Sequence, residues 1–357
     1  PGWSRNIEAN RRLPREYMHP PHADMTCVAH ARSVFDAMIT AKPYAVTAAI
    51  SVASNPLLSL PNVRHTYEAL KQLKLYVVGE YYLTPSAALA DYILPICSTV
   101  ETTELWLTPN FCVACPRGVD PLYERRNTYD FWRGLGVRLG QNEHWPWETV
   151  DDVWDHRLAP VGLTFNQLLE QNGIFGRPQY KRYEKFGFGT PSGKVELRST
   201  TFEELGCEPL PVYFEPPHSP LDDSKLATSF PLVLISGSRF MPMYHSEQRQ
   251  IQAARKKRPD PLVTLHPDTA NTLDLTEGDW VRVESPQGSI RMRLRISDTV
   301  DQRMADADHG WWFPERREED PELFGVFESN ANILCPDDQS FAVQRSEAGH
   351  ILRCYVA

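Results

Sequence analysis

Three short stretches carry residues whose types and spacing suit chemistry on a nucleotide: Asn55-Pro56, Glu80 and Thr84-Pro85. Asn55-Pro56 follows one apolar run and Glu80 follows another, and in open parallel sheets the carboxyl ends of the strands form the ligand crevice. A side-chain amide such as that of Asn55 hydrogen-bonds ribose or phosphate oxygens. A carboxylate such as that of Glu80 accepts the paired N–H groups of guanine, whose N1–H and exocyclic amine lie side by side. Thr84-Pro85 reads as an N-cap with proline in the first helical position, and a helix start presents free backbone N–H groups to a diphosphate. On these residues alone the plainer reading, an Asn-Pro turn and a surface glutamate, is the weightier.

Two other groups invite a chemical reading and keep a bland one. Cys112-Val113-Ala114-Cys115 is a lone CxxC with no further ligands at sensible spacing, so ordinary thiols in a loop outweigh a zinc or iron–sulfur site. Arg291, Arg293 and Arg295 alternate along one apolar run, which favours a solvated strand face over an anion or partner surface.

The elements that must position these residues follow from periodicity. Val28, Ala31, Val34, Phe35, Met38 and Ile39 recur at helical spacing until Lys42-Pro43. A strand over 45–52, a turn at Ser54-Asn55-Pro56, a helix over about 63–73 and a strand over 75–78 make a βαβ unit, and a short helix from Thr84-Pro85 to Ala90 leads into a strand over 92–96. From Glu101 to about Leu226 the pattern loosens into a connector with helices near 128–139 and 165–171. After Phe230 short strands dominate, over 232–236, 262–265, 280–284 and 290–296, with a helix over 268–273. The last two strands pair as a half-buried hairpin through Pro286-Gln287-Gly288. Strands of this kind in the last 130 or so residues suggest a small β-barrel, giving an α/β chain with a parallel sheet followed by a barrel.

Composition narrows the function classes. With 37 Lys+Arg against 46 Asp+Glu the net charge is -9, which disfavours general nucleic-acid binding. Seven scattered cysteines imply no disulfide framework. The longest uncharged stretch, 43–62, is broken by prolines and polar residues and makes a very poor membrane span, so no direct membrane insertion is expected. There is no strand-linked GxGxxG, P-loop, GxSxG elbow or HExxH pair. The chain begins at Pro1 with no leader, so the expectation is a processed start or a piece of something longer.

Several longer stretches carry a resemblance. AAISVASNPLLSLPN from Ala48 and LYVVGEYYLTPSAALADYILP from Leu75 resemble the third domain of the molybdopterin oxidoreductases of the dimethyl sulfoxide reductase type, which bind two guanine dinucleotide cofactors around molybdenum or tungsten. GFGTPSGKVEL from Gly187 resembles that family's segment leading into its last domain. LVLISGSRF from Leu232, LHPDTANTLDLTEGDWVRVESPQGSIRMRL from Leu265, HGWWFPE from His309 and SNANILCPDD from Ser329 resemble its dinucleotide-binding barrel, in family order. HGWWFPE and SNAN are similar to the branch that holds acetylene hydratase, pyrogallol transhydroxylase and the thiosulfate or polysulfide reductases.

The resemblance implies a Rossmann-like parallel-sheet domain over 1–160, a connector over 161–227 and a double-psi β-barrel over 228–357. It implies Asn55, Glu80 and Thr84 beside one dinucleotide, with Gly237, Arg239, His245 and Asn332 near a pterin or its phosphates. Arg239 offers a planar donor fork for phosphate, and Asn332 matches the amide-like edge of a pterin. Tryptophans 311 and 312 are read as core rather than cofactor wall. The family's Cys-rich start, which in many members binds a 4Fe–4S cluster, and its metal ligand lie upstream of these blocks, so no catalytic and no metal-ligating residue is assigned. The expected partners are an N-terminal half or partner chain carrying the metal site, and an electron-transfer subunit. The reading of the chain is a cofactor-clasping portion, inactive alone, of an enzyme for oxygen-atom or electron transfer, hydration or hydroxyl transfer. The alternative is a non-catalytic cofactor-binding module or subunit scaffold.

Overall fold

The computed structural model describes residues 31–108, 111–177, 179–190, 192–200, 203, 209–210, 213, 224–236 and 241–336, together with the backbone of 352–356. They fall into two compact units, one formed by Pro1–Val78, Leu83–Tyr92 and Arg198–Ala357 and the other by Gly79–Tyr82 and Ile93–Leu197.

The chain begins its described part in helix α1 (Ala31–Thr40) and enters strand β1 (Ala48–Val52). Two helices follow, α2 (Pro56–Ser59) and α3 (Val63–Lys71), before strands β2 (Leu75–Glu80) and β3 (Tyr92–Pro95). The sheet order is β1-β2-β3. Leu75 N–H bonds the Thr47 carbonyl just ahead of β1, while Asp91 N–H bonds Tyr76 and Ile96 N–H bonds Glu80, so the strands advance in one direction. The parallel βαβ expectation stands. α3 starts where proline and left-handed geometry permit: Asn62, at φ 47°, accepts the His65 N–H on its side-chain oxygen.

Two local differences matter. β2 runs on to Glu80, which is therefore the last residue of the strand rather than the residue after it. The helix expected from Thr84-Pro85 to Ala90 is a single 3-10 turn, Ala87–Leu89, because Ala90 goes extended and Asp91 already bonds the neighbouring strand at Tyr76.

The barrel closes in the order β10-β8-β11-β7-β12-β9. Its strands are β7 (Leu232–Ser236), β8 (Leu262–Leu265), β9 (Trp280–Ser285), β10 (Gly288–Ile296), β11 (Met304–Ala307) and β12 (Leu352–Val356). β8 and β10 pair parallel, as do β7 and β11, and the remaining ladders are antiparallel. Leu234, Val263, Leu265, Val281, Val283, Met292, Leu294 and Ala305 fill it, each nearly or fully buried, which is the alternation read from β9 and β10. The expected helix over 268–273 is found over Pro267–Thr272, capped by His266, whose Nδ1 accepts the Asp268 N–H.

The second unit corrects the reading of the stretch after Glu101 as loosely patterned. It holds an antiparallel sheet of β4 (Glu104–Leu107), β5 (Phe111–Cys115) and β6 (Ile174–Gly176), with helices α4 (Thr128–Arg138), α5 (Val150–Leu158) and α6 (Phe165–Glu170). Leu105, Cys112, Ala114, Leu158, Phe165 and Leu168 form its core. The CxxC is on β5, not in a loop: Cys112 is buried, Cys115 half-buried, and three-residue spacing on a strand sends the two thiols to opposite faces. Among the described residues no helix is long and apolar enough to cross a membrane, and no group of three or more His, Cys, Asp or Glu is placed to hold a metal ion.

Candidate functional site

Asn55 ends the loop after β1 and stands at the N-cap of α2, yet its side chain does not cap the helix. Its Oδ1 instead accepts a hydrogen bond from the Ser86 hydroxyl at 2.5 Å. The Ser86 oxygen in turn accepts the Leu57 N–H at 3.0 Å. Ser86 is fully buried, so its hydroxyl has no solvent alternative. Its single proton goes to Asn55, which fixes the amide with Oδ1 toward Ser86 and Nδ2 away from it. That Nδ2 is buried and has no hydrogen-bond partner among the described residues. A buried donor without a partner costs about 1–3 kcal/mol, and such an atom marks a place for a ligand or water.

Two asparagines from the barrel segment hold the same turn. Asn330, fully buried, donates Nδ2 to the Leu57 carbonyl at 2.8 Å, and Asn332 donates Nδ2 to the Leu58 carbonyl at 2.8 Å. The Asn332 backbone N–H bonds Asn330 Oδ1 at 3.2 Å. The side-chain donors of Asn332 thus face α2, and its oxygen is what remains for a ligand. Thr84 is buried, and its Oγ1 accepts the Ala87 N–H at 3.3 Å. This bond and the shortness of the turn correct the expectation of a helix start with free N–H groups.

Glu80 belongs to the other unit. It is half-buried, and one carboxylate oxygen accepts the N–H of Tyr81 at 2.8 Å. Asn55, Thr84 and Asn332 share the first unit with His245, while Gly237 and Arg239 lie outside the described residues.

His245 sits on an exposed loop at φ 47°, a left-handed conformation that a residue with a Cβ holds only when its surroundings require it. Three contacts require it here. Arg249, 1% exposed, donates to the carbonyls of His245 at 2.5 Å, Glu247 at 3.2 Å and His309 at 3.1 Å. The Trp312 indole donates to the Ser246 carbonyl at 2.8 Å. His245 Nδ1 meets His309 Nε2 at 3.0 Å. Burial pushes the Arg249 guanidinium down to about 9, so it keeps its charge at neutral pH. Gly310, at φ 61°, lets the chain pass against the backbone of Ser246, which an added Cβ would meet at 3.3 Å. The guanidinium groups of Arg249 and Arg255 lie over the Trp311 ring at 5.0 and 4.8 Å, and both tryptophans are fully buried, the core positions expected of them.

Ser86, Asn330 and Arg249 were missed by sequence reasoning. SNAN held a signal for Asn330, since two asparagines one residue apart suit two successive carbonyls. Nothing local distinguishes Ser86 or Arg249.

Residues 232–349 match the family model described as the molydopterin dinucleotide binding domain. The chain is similar to acetylene hydratase of Syntrophotalea acetylenica, with 34% identity over 330 residues covering 90% of this chain and 45% of that protein. It is similar to the molybdopterin-containing subunit of thiosulfate reductase from Salmonella typhimurium, with 29% identity over 75% of this chain and 38% of that one. Among solved structures, acetylene hydratase from Pelobacter acetylenicus superposes with a TM-score of 0.85 at 31% identity, over 93% of this chain and 47% of that chain. The chain therefore spans less than half the length of the relatives it matches.

Proposed function

Because this chain belongs to the molybdopterin family of the dimethyl sulfoxide reductase type and matches its C-terminal portion, we propose that it clasps a bis-molybdopterin guanine dinucleotide carrying molybdenum or tungsten. The observation that carries this reading is the buried, unpartnered Nδ2 of Asn55, fixed in direction by Ser86. It is a donor with no acceptor among the described residues, which fits a phosphate or ribose oxygen.

The other residues fit the same group. Thr84 shapes the turn beside Ser86. Glu80, taken by itself in the other unit, is the carboxylate assigned to a guanine edge, on the chemistry of its paired oxygens. Asn332 offers its oxygen to a ring N–H of the pterin, and His245 holds an exposed imidazole on a loop fixed by Arg249. Gly237 and Arg239 lie outside the described residues, and their assignment to the pterin and its phosphates rests on the family resemblance of LVLISGSRF alone. The two parallel pairs of the closed barrel support the reading of 228–357 as a double-psi barrel, and the parallel sheet of β1, β2 and β3 supports a Rossmann-like domain within 1–160. The expected connector over 161–227 is corrected in its first part, where Phe165, Leu168 and β6 belong to the core and sheet of the second unit.

When bound, the metal and its dithiolenes supply oxygen-atom or electron transfer, hydration or hydroxyl transfer. The residues of this chain bind and orient the group; none is placed as a catalytic residue. The metal ligand, any 4Fe–4S cluster and the contact to an electron-transfer subunit belong to an N-terminal half or partner chain, and this chain alone is inactive.

The test is the nucleotide and metal content of the purified full-length protein. Acid hydrolysis is expected to release guanosine monophosphate, and elemental analysis to find molybdenum or tungsten; an intact protein lacking both overturns the reading. Glu80→Gln sets an N–H against the N–H edge of guanine. The preference for guanine over cytosine dinucleotide is expected to fall roughly ten- to a hundredfold, and full preference in the variant removes Glu80 from the base site.

A further inference from the structure

A groove of about 460 Å³ opens on the β9–β10 face of the barrel, lined by Trp280, Arg282, Ser289, Arg291, Phe327 and Glu328. It shares no residue with the proposed cofactor site, and its volume falls in the range of small-molecule sites.

The ladder register sets Arg291 directly opposite Arg282. Like charges in that position destabilise a sheet unless something neutralises them. The carboxylates nearby do so poorly. Arg282 reaches Glu284 only at 3.5 Å, and Arg291 approaches Glu328 only through Nε, at 3.4 Å. Glu328 is already engaged, since both its oxygens bond Arg316. The Arg291 side chain makes no hydrogen bond among the described residues, and the Arg282 and Arg291 side chains are 66% and 54% exposed.

The aromatic walls are held in place. Arg291 and Arg293 lie over the Trp280 ring at 4.3 and 5.3 Å, and Phe327 is braced by the edge of Tyr67 at 5.3 Å and by Arg64 at 5.4 Å. A guanidinium stacked on an indole keeps its outward N–H edge free for an oxyanion, which it recognises as a planar fork.

We propose that this groove binds a planar aromatic anion, with its ring against Trp280 or Phe327 and its carboxylate or phosphate between Arg282 and Arg291. The two sources of that chemistry, an aromatic carboxylate and a nucleotide, are separated by the probes. Calorimetric titration of the intact chain uses indole-3-acetate and adenosine monophosphate, each against its uncharged partner, indole and adenosine. At least one anion is expected to bind with a Kd below about 1 mM, and its uncharged partner about tenfold or more weaker. Arg282→Gln and Arg291→Gln, both at exposed positions and checked for an unchanged fold by circular dichroism, are each expected to weaken binding about tenfold. The proposal is overturned if neither anion binds at roughly 5 mM, if the uncharged partner binds equally well, or if binding survives both substitutions, which would place the ligand elsewhere.

Discussion

Ser86 has one proton to give, and the Leu57 N–H on its oxygen leaves Asn55 as the recipient. This buried hydroxyl both caps a turn and sets the orientation of an amide that is otherwise free to rotate by half a turn. Ser86→Ala removes both bonds and leaves the Leu57 N–H without an acceptor. The expected loss is about 1–3 kcal/mol in urea denaturation with an unchanged m value. A loss under about 0.5 kcal/mol would show that the amide is not held this way. The same variant in the full-length protein is expected to retain less nucleotide, because the Asn55 amide then populates both orientations.

At the level of elements, the second unit depends on the turn Thr99–Glu101 that leads into β4. Ser98 caps this turn, and Glu101, 3% exposed, accepts from the Ser98 N–H and hydroxyl, the Leu122 N–H and the Arg125 guanidinium. Burial alone would push the Glu101 carboxyl up, but these bonds hold it down at about 2 against an ordinary 4.5. A carboxyl held low by the fold contributes stability that is complete above the ordinary value and drains as pH falls from 4.5 toward 2. Melts followed by circular dichroism from about pH 6 to about pH 2.5 are expected to show that acid loss. Glu101→Gln is expected to cost about 2–3 kcal/mol at neutral pH and to flatten the dependence between those values. An unchanged acid slope in the variant would assign the loss to other carboxylates. Gly173 is the other fixed point of this unit: at φ 71° it approaches the Ala114 carbonyl, which a Cβ would meet at 3.0 Å, so β6 can pair with β5 only with glycine there.

At the scale of the molecule, the first unit is assembled from chain segments far apart in sequence. Asn330 and Asn332 reach back to Leu57 and Leu58, the Asn62 N–H bonds the Cys335 carbonyl at 3.1 Å, and Lys71 pairs with Asp320 at 2.9 Å. Asn330→Ala leaves the Leu57 carbonyl unsatisfied in a buried place, with an expected cost of about 1–3 kcal/mol. Hydrogen exchange is expected to rise both in α2 and in the segment around 330. Exchange that rises only near the substitution would mean that the two segments are not coupled through this bond.

The sequence by itself determined what depends on near neighbours. The βαβ order and the alternation of Val281, Val283, Ile290, Met292 and Leu294 across the hairpin were legible because strand period is a local property. The family was legible too, because its motifs are contiguous. What only the tertiary structure decided involves distant partners. The sheet of the second unit was hidden because β5 and β6 are separated by α4, α5 and α6, and their short strands carry too few residues to show a period. The role of Ser86 needed Asn55, 31 residues away, and that of Arg249 needed the His309 carbonyl, 60 residues away. A hydroxyl or guanidinium looks the same in sequence whether it faces water or a buried carbonyl. The fold supplies the partner, and with it the function of the side chain.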